Sequence, residues 1–410
     1  MLKATEIPSV HVPGQETTLK IGLIGCGGRG TGAADNVLDA VENVQIIALA
    51  DMFPDRLANC RKMVMAKTEK DGRPHPGAKI QDDFCFTGFD AYKKILDTGI
   101  DYVMLAQPPG FRPIHFAAAI EAGKHVFFEK PVAVDPVGVR KIIEVGEKAK
   151  EKKLGVIPGT QSRHTPRIME TVKRIHDGAI GEVISGRIHF NTQYLWNKPR
   201  QEGMSDMEWQ IRNWYYFDWL SGDHIVEQHV HQHDVTDWVM QAHPVRATAV
   251  GGRQMRTEPL FGNIYDHFCV DYEYPNGVHI LSMCRQWDKC PGEVGAVFTG
   301  TKGTAYIHGP KSGTITGENA WKFEPKEKEI NGQILEHRDL VASIRAGKPL
   351  NEARRIAETS LTSILGREAA YTGKVVSYAE LMKSDLDLSP KKYEFGPNEV
   401  RPVRIPGKTV

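Results

Sequence analysis

The densest cluster of titratable side chains lies between Asp223 and Asp234, where the chain reads DHIVEQHVHQHD. Four of the sixteen histidines fall inside these twelve residues. If the segment is helical, its i+3 and i+4 spacing places four polar residues on one face: His224, Glu227, His231 and Asp234. Imidazole titrates near neutral pH and a neighbouring carboxylate can orient it, so the pattern is typical of a proton-transfer site.

Three interpretations of this cluster are open. In the first, His231 is a general base that Glu227 orients. In the second, His229 and His233 bind zinc or manganese together with Glu227 or His231, because imidazole and carboxylate suit these metals. In the third, the segment is the polar, partly solvated start of a helix. Clustered titratable groups are frequent at functional sites, so we favour the general base and predict no metal.

A glycine-rich loop, GCGGRG at 25–30, follows an apolar strand pattern directly and opens a helix pattern. Gly25 permits a tight turn, Gly27 a close approach of the backbone to a pyrophosphate, and Gly30 close packing of helix on strand. Asp51 ends the next predicted strand, 21 residues after Gly30, where it can accept hydrogen bonds from a ribose. A carboxylate there repels a 2′-phosphate, so we predict NAD, with NADP less favoured.

A lysine ends another predicted strand, in the sequence Glu129-Lys130-Pro131. Such strand ends bind ligands in α/β proteins. The segment RNWYYFDW at 212–219 has the composition of a sugar-binding platform, and two basic residues follow the last strand of the first sheet. Core packing or surface charge is an alternative role for each. Substrate contacts are predicted at Arg163, His164, Trp214, Tyr215, His229 and Asp234.

Short apolar strands alternate with helices in the first part of the chain, which indicates βαβ units and a doubly wound parallel sheet. The strands are predicted at 19–25, 44–51, 101–106, 125–130 and 154–159, and the helices after Gly30 and at 113–122 and 136–152. The fold class is therefore α/β. We place the end of this Rossmann domain near Gly159.

Longer strands with turn residues between them follow, which predicts an α+β domain with a large, open, mostly antiparallel sheet. A helix is expected at 165–176, strands at 182–194, 245–253, 267–274, 278–286, 293–300 and 303–309, and helices at 336–346 and 352–371. The predicted division is an N-terminal arm (1–18), a cofactor domain (19–159), a substrate and oligomerisation domain (160–385) and a C-terminal tail (386–410).

Composition excludes several classes of protein. The 52 Lys and Arg residues balance 51 Asp and Glu residues, so no basic excess favours nucleic acid as a partner. Apolar runs are strand-sized, which argues against a membrane span. The six cysteines form no CxxC pair and are expected to be free thiols. We expect a cytoplasmic protein, or a periplasmic one if a signal peptide has been removed.

The order and spacing of these motifs resemble the Gfo/Idh/MocA oxidoreductase family, named after glucose-fructose oxidoreductase, inositol dehydrogenase and a rhizopine-catabolism protein. The similarity covers about residues 19–375 and rests on IGLIGCGGRG, ALAD, AQPPGFRPIHFAAAIEAGKHVFFEKPVA, IGEVISGRIHF, SGDHIVEQHVHQHD and GTKGTA. It implies a Rossmann domain followed by an α/β domain whose open sheet often forms the oligomer interface. It also implies redox chemistry on sugars, polyols or their derivatives.

The resemblance implies that Lys130 and His231 are catalytic, with Glu227 as the acid before the histidine and Asp234 after it. Two positions depart from the family pattern: Glu227 stands where aspartate is usual, and His229 where glycine is common. Motif and resemblance together place the cofactor against Gly25, Gly27, Gly28, Arg29, Gly30, Asp51, Gln107, Pro108, Glu129 and Lys130.

We therefore expect an NAD-dependent oxidoreductase in which His231 takes a hydroxyl proton, Glu227 holds His231 and Lys130 binds the reacting oxygen. The substrate is a carbinol of a sugar, polyol or glycoside, and the assembly is a homodimer or homotetramer formed through the second sheet. Two alternatives are a glycosidase that retains NAD through transient oxidation, elimination and re-reduction, and a non-catalytic sensor of NAD or sugar.

Overall fold

The computed structural model of the protein describes residues 17–325 and 327–408. The predicted N-terminal arm, 1–18, lies almost wholly outside these residues. The first part of the chain alternates strands and helices: β1 (Leu19–Ile24), α1 (Gly28–Ala40), β2 (Val44–Asp51), α2 (Pro54–Met65), β3 (Cys85–Thr87), α3 (Ala91–Leu96), β4 (Tyr102–Leu105), α4 (Arg112–Glu121), β5 (His125–Phe128), α5 (Pro136–Glu151) and β6 (Val156–Pro158).

These strands form a parallel sheet with the order β3-β2-β1-β4-β5-β6 in the described chain. Strand β1 is apolar and buried after the exposed Lys20, because helices cover both faces of the sheet. Ile21 and Ile24 point to opposite faces, are both buried, and belong to separate hydrophobic clusters. The predicted doubly wound α/β fold is confirmed.

The remaining elements are α6 (Pro166–His176), β7 (Val183–Thr192), α7 (Asp206–Arg212), α8 (Asp218–Ser221), α9 (His224–Glu227), α10 (Val230–Met240), β8 (Arg246–Gly252), β9 (His267–Glu273), β10 (His279–Gln286), β11 (Glu293–Gly300), β12 (Gly303–His308), β13 (Thr314–Gly317), β14 (Trp321–Lys322), α11 (Gly332–Arg345), α12 (Ala353–Thr372), β15 (Val376–Ser377) and α13 (Tyr378–Lys383).

The second sheet has the strand order β14-β13-β12-β11-β7-β10-β9-β8-β15. Within the residues described, β7 and β10 are its parallel pair and the other neighbours are antiparallel, as the sequence predicts. Helices cover one face, where Ile280 and Phe298 are buried. The opposite face is open, and Val250 is 71% exposed on it.

The helix α11 packs against the first sheet, although it follows the second sheet in the chain. Leu340 and Val341 of α11 share a hydrophobic cluster with Phe127 of β5 and Ile157 of β6. The hydroxyl of Tyr102 on β4 also lies 3.0 Å from Nδ1 of His337. The two sheets are thus joined by the late helices as well as by the connection near Gly159.

The histidine-rich segment is not one helix, which corrects the continuous helix considered above. It forms α9 and α10, with Gln228 and His229 between them. Asp223, just before α9, has φ +78°, and its carboxylate accepts hydrogen bonds from the backbone nitrogen of Tyr265 at 2.7 Å and the hydroxyl of Tyr371 at 2.6 Å. The predicted i+3 and i+4 face is therefore interrupted between Glu227 and His231.

All six cysteines are free thiols. Among the helices that the structure describes, none is both long and apolar enough to cross a membrane.

Candidate active site

The glycine-rich loop joins β1 to α1 and leaves its backbone open. Gly25 has φ +99°, and a Cβ there would lie 2.4 Å from the backbone nitrogen of Gln107. A Cβ on Gly30 would lie 1.8 Å from the carbonyl oxygen of Gly25, whereas one on Gly28 would face open space. Gly27 caps α1, so a phosphate can approach the first N–H groups of the helix.

Asp51 lies at the end of β2 beside this loop. Its Oδ2 accepts a hydrogen bond from the backbone nitrogen of Cys26 at 2.6 Å, and its Oδ1 accepts one from that of Phe53 at 2.8 Å. Burial raises the pKa of Asp51, and the two N–H donors oppose that rise. Each carboxylate oxygen retains a lone pair that can accept a ribose hydroxyl.

A cavity of about 340 Å³ opens beside the loop, and Gly27, Asp51, Gln107 and Pro108 line it. Both polar side-chain atoms of Gln107 are buried without a partner among the described residues. Leaving a buried amide unpaired is unfavourable, so this amide points to a ligand. The open loop, the strand-end carboxylate and the unpaired amide together fit a dinucleotide.

Arg29 and Glu129, both predicted near the cofactor, pair with each other. The distance between Arg29 Nε and Glu129 Oε1 is 2.9 Å. The Glu129 carboxylate is buried against Gly159, where a Cβ would lie 2.5 Å from its Oε2. This pair connects the glycine loop to the end of β5 and so places Lys130 next to the loop.

Lys130 crosses from the first sheet to the histidine-rich segment. Its Nζ donates to the backbone oxygen of Glu227 at 2.6 Å and to Oε1 of the same residue at 3.1 Å. Both side chains are largely buried, with 13% and 12% exposed. An ammonium group has three N–H donors, so one donor remains for a substrate oxygen.

His231 is half-buried in the first turn of α10. Its Nδ1 is buried without a partner in the described chain. Burial and the positive charge of Lys130 hold the pKa of His231 well below 6.5. The imidazole is therefore neutral at pH 7 and able to accept a proton. The expected contact between Glu227 and His231 is replaced by the bond between Glu227 and Lys130, because the helix breaks between the two residues.

Asp234, predicted as a substrate contact, is held by two arginines. Its Oδ2 lies 2.9 Å from Nε of Arg163, and its Oδ1 pairs with Arg355 of α12. Burial raises the pKa of Asp234, but the two guanidinium groups outweigh it and lower the pKa below its ordinary value. The Arg163 side chain is taken up by this ion pair. Arg163 and Asp234 therefore stabilise the position of α10.

His229 and His233 contact serines of neighbouring elements. The Nε2 of His229 lies 2.7 Å from Oγ of Ser282 on β10, and Nδ1 of His233 lies 2.8 Å from Oγ of Ser363 on α12. Burial lowers the pKa of His229 well below 6.5 and that of His233 to about 3. No group of three metal-binding side chains suited to an ion occurs in the described ranges.

The other predicted substrate residues lie in different places. Trp214 lines the cavity at Asp51 and packs at 5.9 Å from Trp196. Tyr215 is buried, and its hydroxyl accepts a hydrogen bond from Gln286 at 2.8 Å. His164 is also buried, with its Nδ1 2.5 Å from Oδ2 of Asp339 on α11.

The structure adds polar residues that the sequence does not single out. Arg112, in α4, donates to the backbone oxygens of Gln107 at 2.7 Å and Pro131 at 2.5 Å, and so holds two strand-end loops together. His308 lies 3.1 Å from Oγ of Ser162, and burial lowers its pKa to about 4. No sequence motif marks His308 at the end of β12, so this residue could be recognised only in the folded structure.

Two family matches follow the two sheets. Residues 19–159 match the Gfo/Idh/MocA oxidoreductase family with its NAD-binding Rossmann fold, and residues 168–306 match the GFO/IDH/MocA C-terminal domain. The chain belongs to the Gfo/Idh/MocA family. Its first domain is accordingly an NAD-binding Rossmann domain.

The proteins to which the chain is similar carry different names. The chain is 28% identical over 181 residues to a glycosyl hydrolase family 109 protein of Streptomyces niveus, a match to 43% of this chain. It spans only 33% of that relative's length. It is 24% identical over 239 residues to inositol 2-dehydrogenase of Acidothermus cellulolyticus. This match covers 58% of each chain.

The fold is also similar to scyllo-inositol dehydrogenase of Lactobacillus casei solved with NAD(H) and scyllo-inositol. The TM-score is 0.65 at 18% identity, over 88% of this chain and 100% of that one. At this identity the likeness concerns the Gfo/Idh/MocA architecture alone.

Proposed function

We propose that this protein is an NAD-dependent oxidoreductase that acts on a secondary alcohol of a sugar, polyol or glycoside. The observation that carries the proposal is the bond from Lys130, at the end of β5, to Glu227, which precedes α10 and its neutral imidazole. The Lys130 ammonium therefore lies close enough to the His231 imidazole to lower its pKa, at the edge of the sheet where this fold binds ligands.

The roles of the residues follow from their donors and charges. Neutral His231 accepts the hydroxyl proton, and the free N–H of Lys130 stabilises charge on the same oxygen as the carbonyl forms. Two N–H donors of the Lys130 ammonium point to oxygens of Glu227, and this fixes the direction of the third N–H. Bound NAD supplies the hydride acceptor, held by the glycine loop, Asp51 and Gln107.

The test compares Lys130→Ala and His231→Ala with Lys374→Ala and His176→Ala, which replace exposed residues of the same types. We expect turnover to fall by about a thousandfold or more in the first two variants, because each loses a group that contacts the reacting oxygen. NADH binding, followed by fluorescence, should change by less than about threefold. Unchanged turnover in both site variants would contradict the proposal.

A second candidate is a glycosidase that retains its NAD. It is supported by curated relatives named as glycosyl hydrolase family 109 proteins, among them the Streptomyces protein. Incubation with free sugars and with aryl glycosides separates the two candidates. Net NADH supports the dehydrogenase, whereas aglycone released without net NADH supports the glycosidase. A non-catalytic sensor has no need of Lys130 and His231 together.

We further propose a homodimer or homotetramer, formed through the open face of the second sheet. Val250 and Leu281 are 71% and 41% exposed on this face, and such apolar surface is typical of an interface. A cytoplasmic location, the division of domains near Gly159 and the choice of NAD over NADP also stay predictions.

A further inference from the structure

We propose that residues 385–408, the C-terminal strap, close the adenosine end of the nucleotide cleft and slow the release of NAD. This inference rests on the proposed function only in taking NAD as the ligand of the cleft. The strap contains neither helix nor strand, yet it runs across both parts of the molecule.

Tyr393 of the strap forms part of the cavity wall itself. It lines the same cavity as Asp51, Gln107 and Pro108, and its ring centroid lies 5.7 Å from that of Phe111. Burial raises the pKa of Tyr393, so the hydroxyl stays protonated and can donate to a ligand. A residue near the chain end thus contributes directly to the site.

Phe395 docks on the rim beside Asp51. Its ring centroid lies 6.2 Å from that of Phe53, which follows β2, and 5.1 Å from that of Phe89, which follows β3. Phe53 is buried, whereas Phe395 is 48% exposed. The contact therefore covers the strand ends that receive the adenosine and leaves the outer side of the ring in water.

Hydrogen bonds fasten the strap on either side of this aromatic contact. The backbone nitrogen of Leu388 donates to Oδ2 of Asp135 at 2.9 Å. Nδ2 of Asn398 donates to Oε1 of Gln210 on α7 at 2.9 Å. Asp135 caps α5 of the first domain, so the strap is held by both domains.

The second domain also contributes to the cavity wall, because Ile211 and Trp214 line the same cavity. A bound dinucleotide would have protein on the sheet side and strap or aromatic side chains on the other. The contacts of Tyr393 and Phe395 would hinder its departure. Such a cover slows exit and entry together, so dissociation is affected more than affinity.

The experiment measures NADH release from the 410-residue protein by stopped-flow fluorescence, with excess NAD as the chase. We expect release about tenfold faster in Phe395→Ala and in Tyr393→Ala, with a smaller change in Kd. Deletion of residues 385–410 should accelerate release at least as much. Phe323→Ala is the matched control, because Phe323 is a half-buried phenylalanine next to β14 at the far edge of the second sheet.

Release rates within twofold of the unaltered protein in both point variants would overturn the inference, whatever the deletion does. The assay needs no substrate, so it is independent of the catalytic proposal. If the Lys130 and His231 variants lose turnover while the strap variants release NADH at the unaltered rate, the proposed oxidoreductase function is supported and the role of the strap is refuted. If the strap variants release NADH fast but the protein oxidises no alcohol, the role of the strap is supported and the proposed oxidoreductase function is refuted.

Discussion

At the residue scale, the site depends on which partner each polar group takes. The sequence placed Glu227 next to His231 by helical spacing, and the resemblance placed Lys130 in the same site. Spacing alone could not predict the bond from Lys130 to Glu227, because it depends on the break at Gln228 and His229 and on how β5 meets α9. Local periodicity carries no information on either.

Glu227→Gln tests this bond. The amide oxygen can still accept from Lys130, but the negative charge is lost, so the ammonium is held less firmly. We expect kcat to fall about ten- to a hundredfold, with KM for the substrate changing less. Steady-state kinetics of this variant beside Glu208→Gln, on α7, would measure the effect. Equal kcat in the two variants would contradict a positioning role for Glu227.

The pH profile tests the state of His231. Burial and Lys130 hold its pKa well below 6.5, so the base stays unprotonated as the pH falls through that value. We expect kcat/KM to remain level from about pH 8 to about pH 6, where an ordinary histidine would already lose activity. An acid limb centred near 6.5 would show that the imidazole is not the buried base described here.

At the element scale, strands and helices with a strong apolar pattern were predicted well. β1, β2, β4 and β5 lie where the sequence indicates them, because buried parallel strands are nearly continuous apolar runs. The exposed helix α2 and the short strand β3 were missed, since few of their residues face the core. The path of the C-terminal tail carries no periodic signal, so its packing could not be foreseen.

Ser282 on β10 tests whether His229 and His233 support the fold. Its Oγ lies 2.7 Å from Nε2 of His229 and 3.3 Å from Nε2 of His233, all buried. Removing the hydroxyl by Ser282→Ala leaves these nitrogens unpaired, and we expect the free energy of unfolding to fall by about 1–3 kcal/mol.

Urea denaturation of Ser282→Ala beside Ser185→Ala, a replacement at an exposed position of β7, provides the measurement. A chelator should change the stability of neither variant. Stability lost on chelation of the unaltered protein would instead support the metal interpretation of the two histidines.

At the scale of the whole molecule, the first sheet, the segment 211–214 and the strap line one cavity, and the late helices join the two sheets. The outer face of the second sheet takes no part in lining this cavity. Val250 is 71% exposed there. Cys269 on β9 and Met283 on β10 continue the same row of side chains across the sheet. A face of this kind is suited to a second copy of the chain.

The variant Val250→Glu with Leu281→Glu tests that assembly. Two carboxylates buried at a self-complementary interface are unfavourable, so we expect the oligomer to dissociate by at least one step. Light scattering after size exclusion would show the mass. Met169→Glu, at a 45% exposed position on α6, is the control. An unchanged mass in the double variant would place the interface elsewhere.

We propose that bound NAD oxidises a sugar alcohol while His231 takes the hydroxyl proton and Lys130 donates to the reacting oxygen. The most direct measurement is a single-turnover reaction, in which the protein with bound NAD is mixed with sugars, polyols and glycosides while the absorbance of NADH is recorded. We expect NADH to form with at least one of these in the unaltered protein, and NADH formation to be lost in His231→Ala although the variant binds NAD. Equal NADH formation in His231→Ala, or none with any alcohol in the unaltered protein, would contradict it.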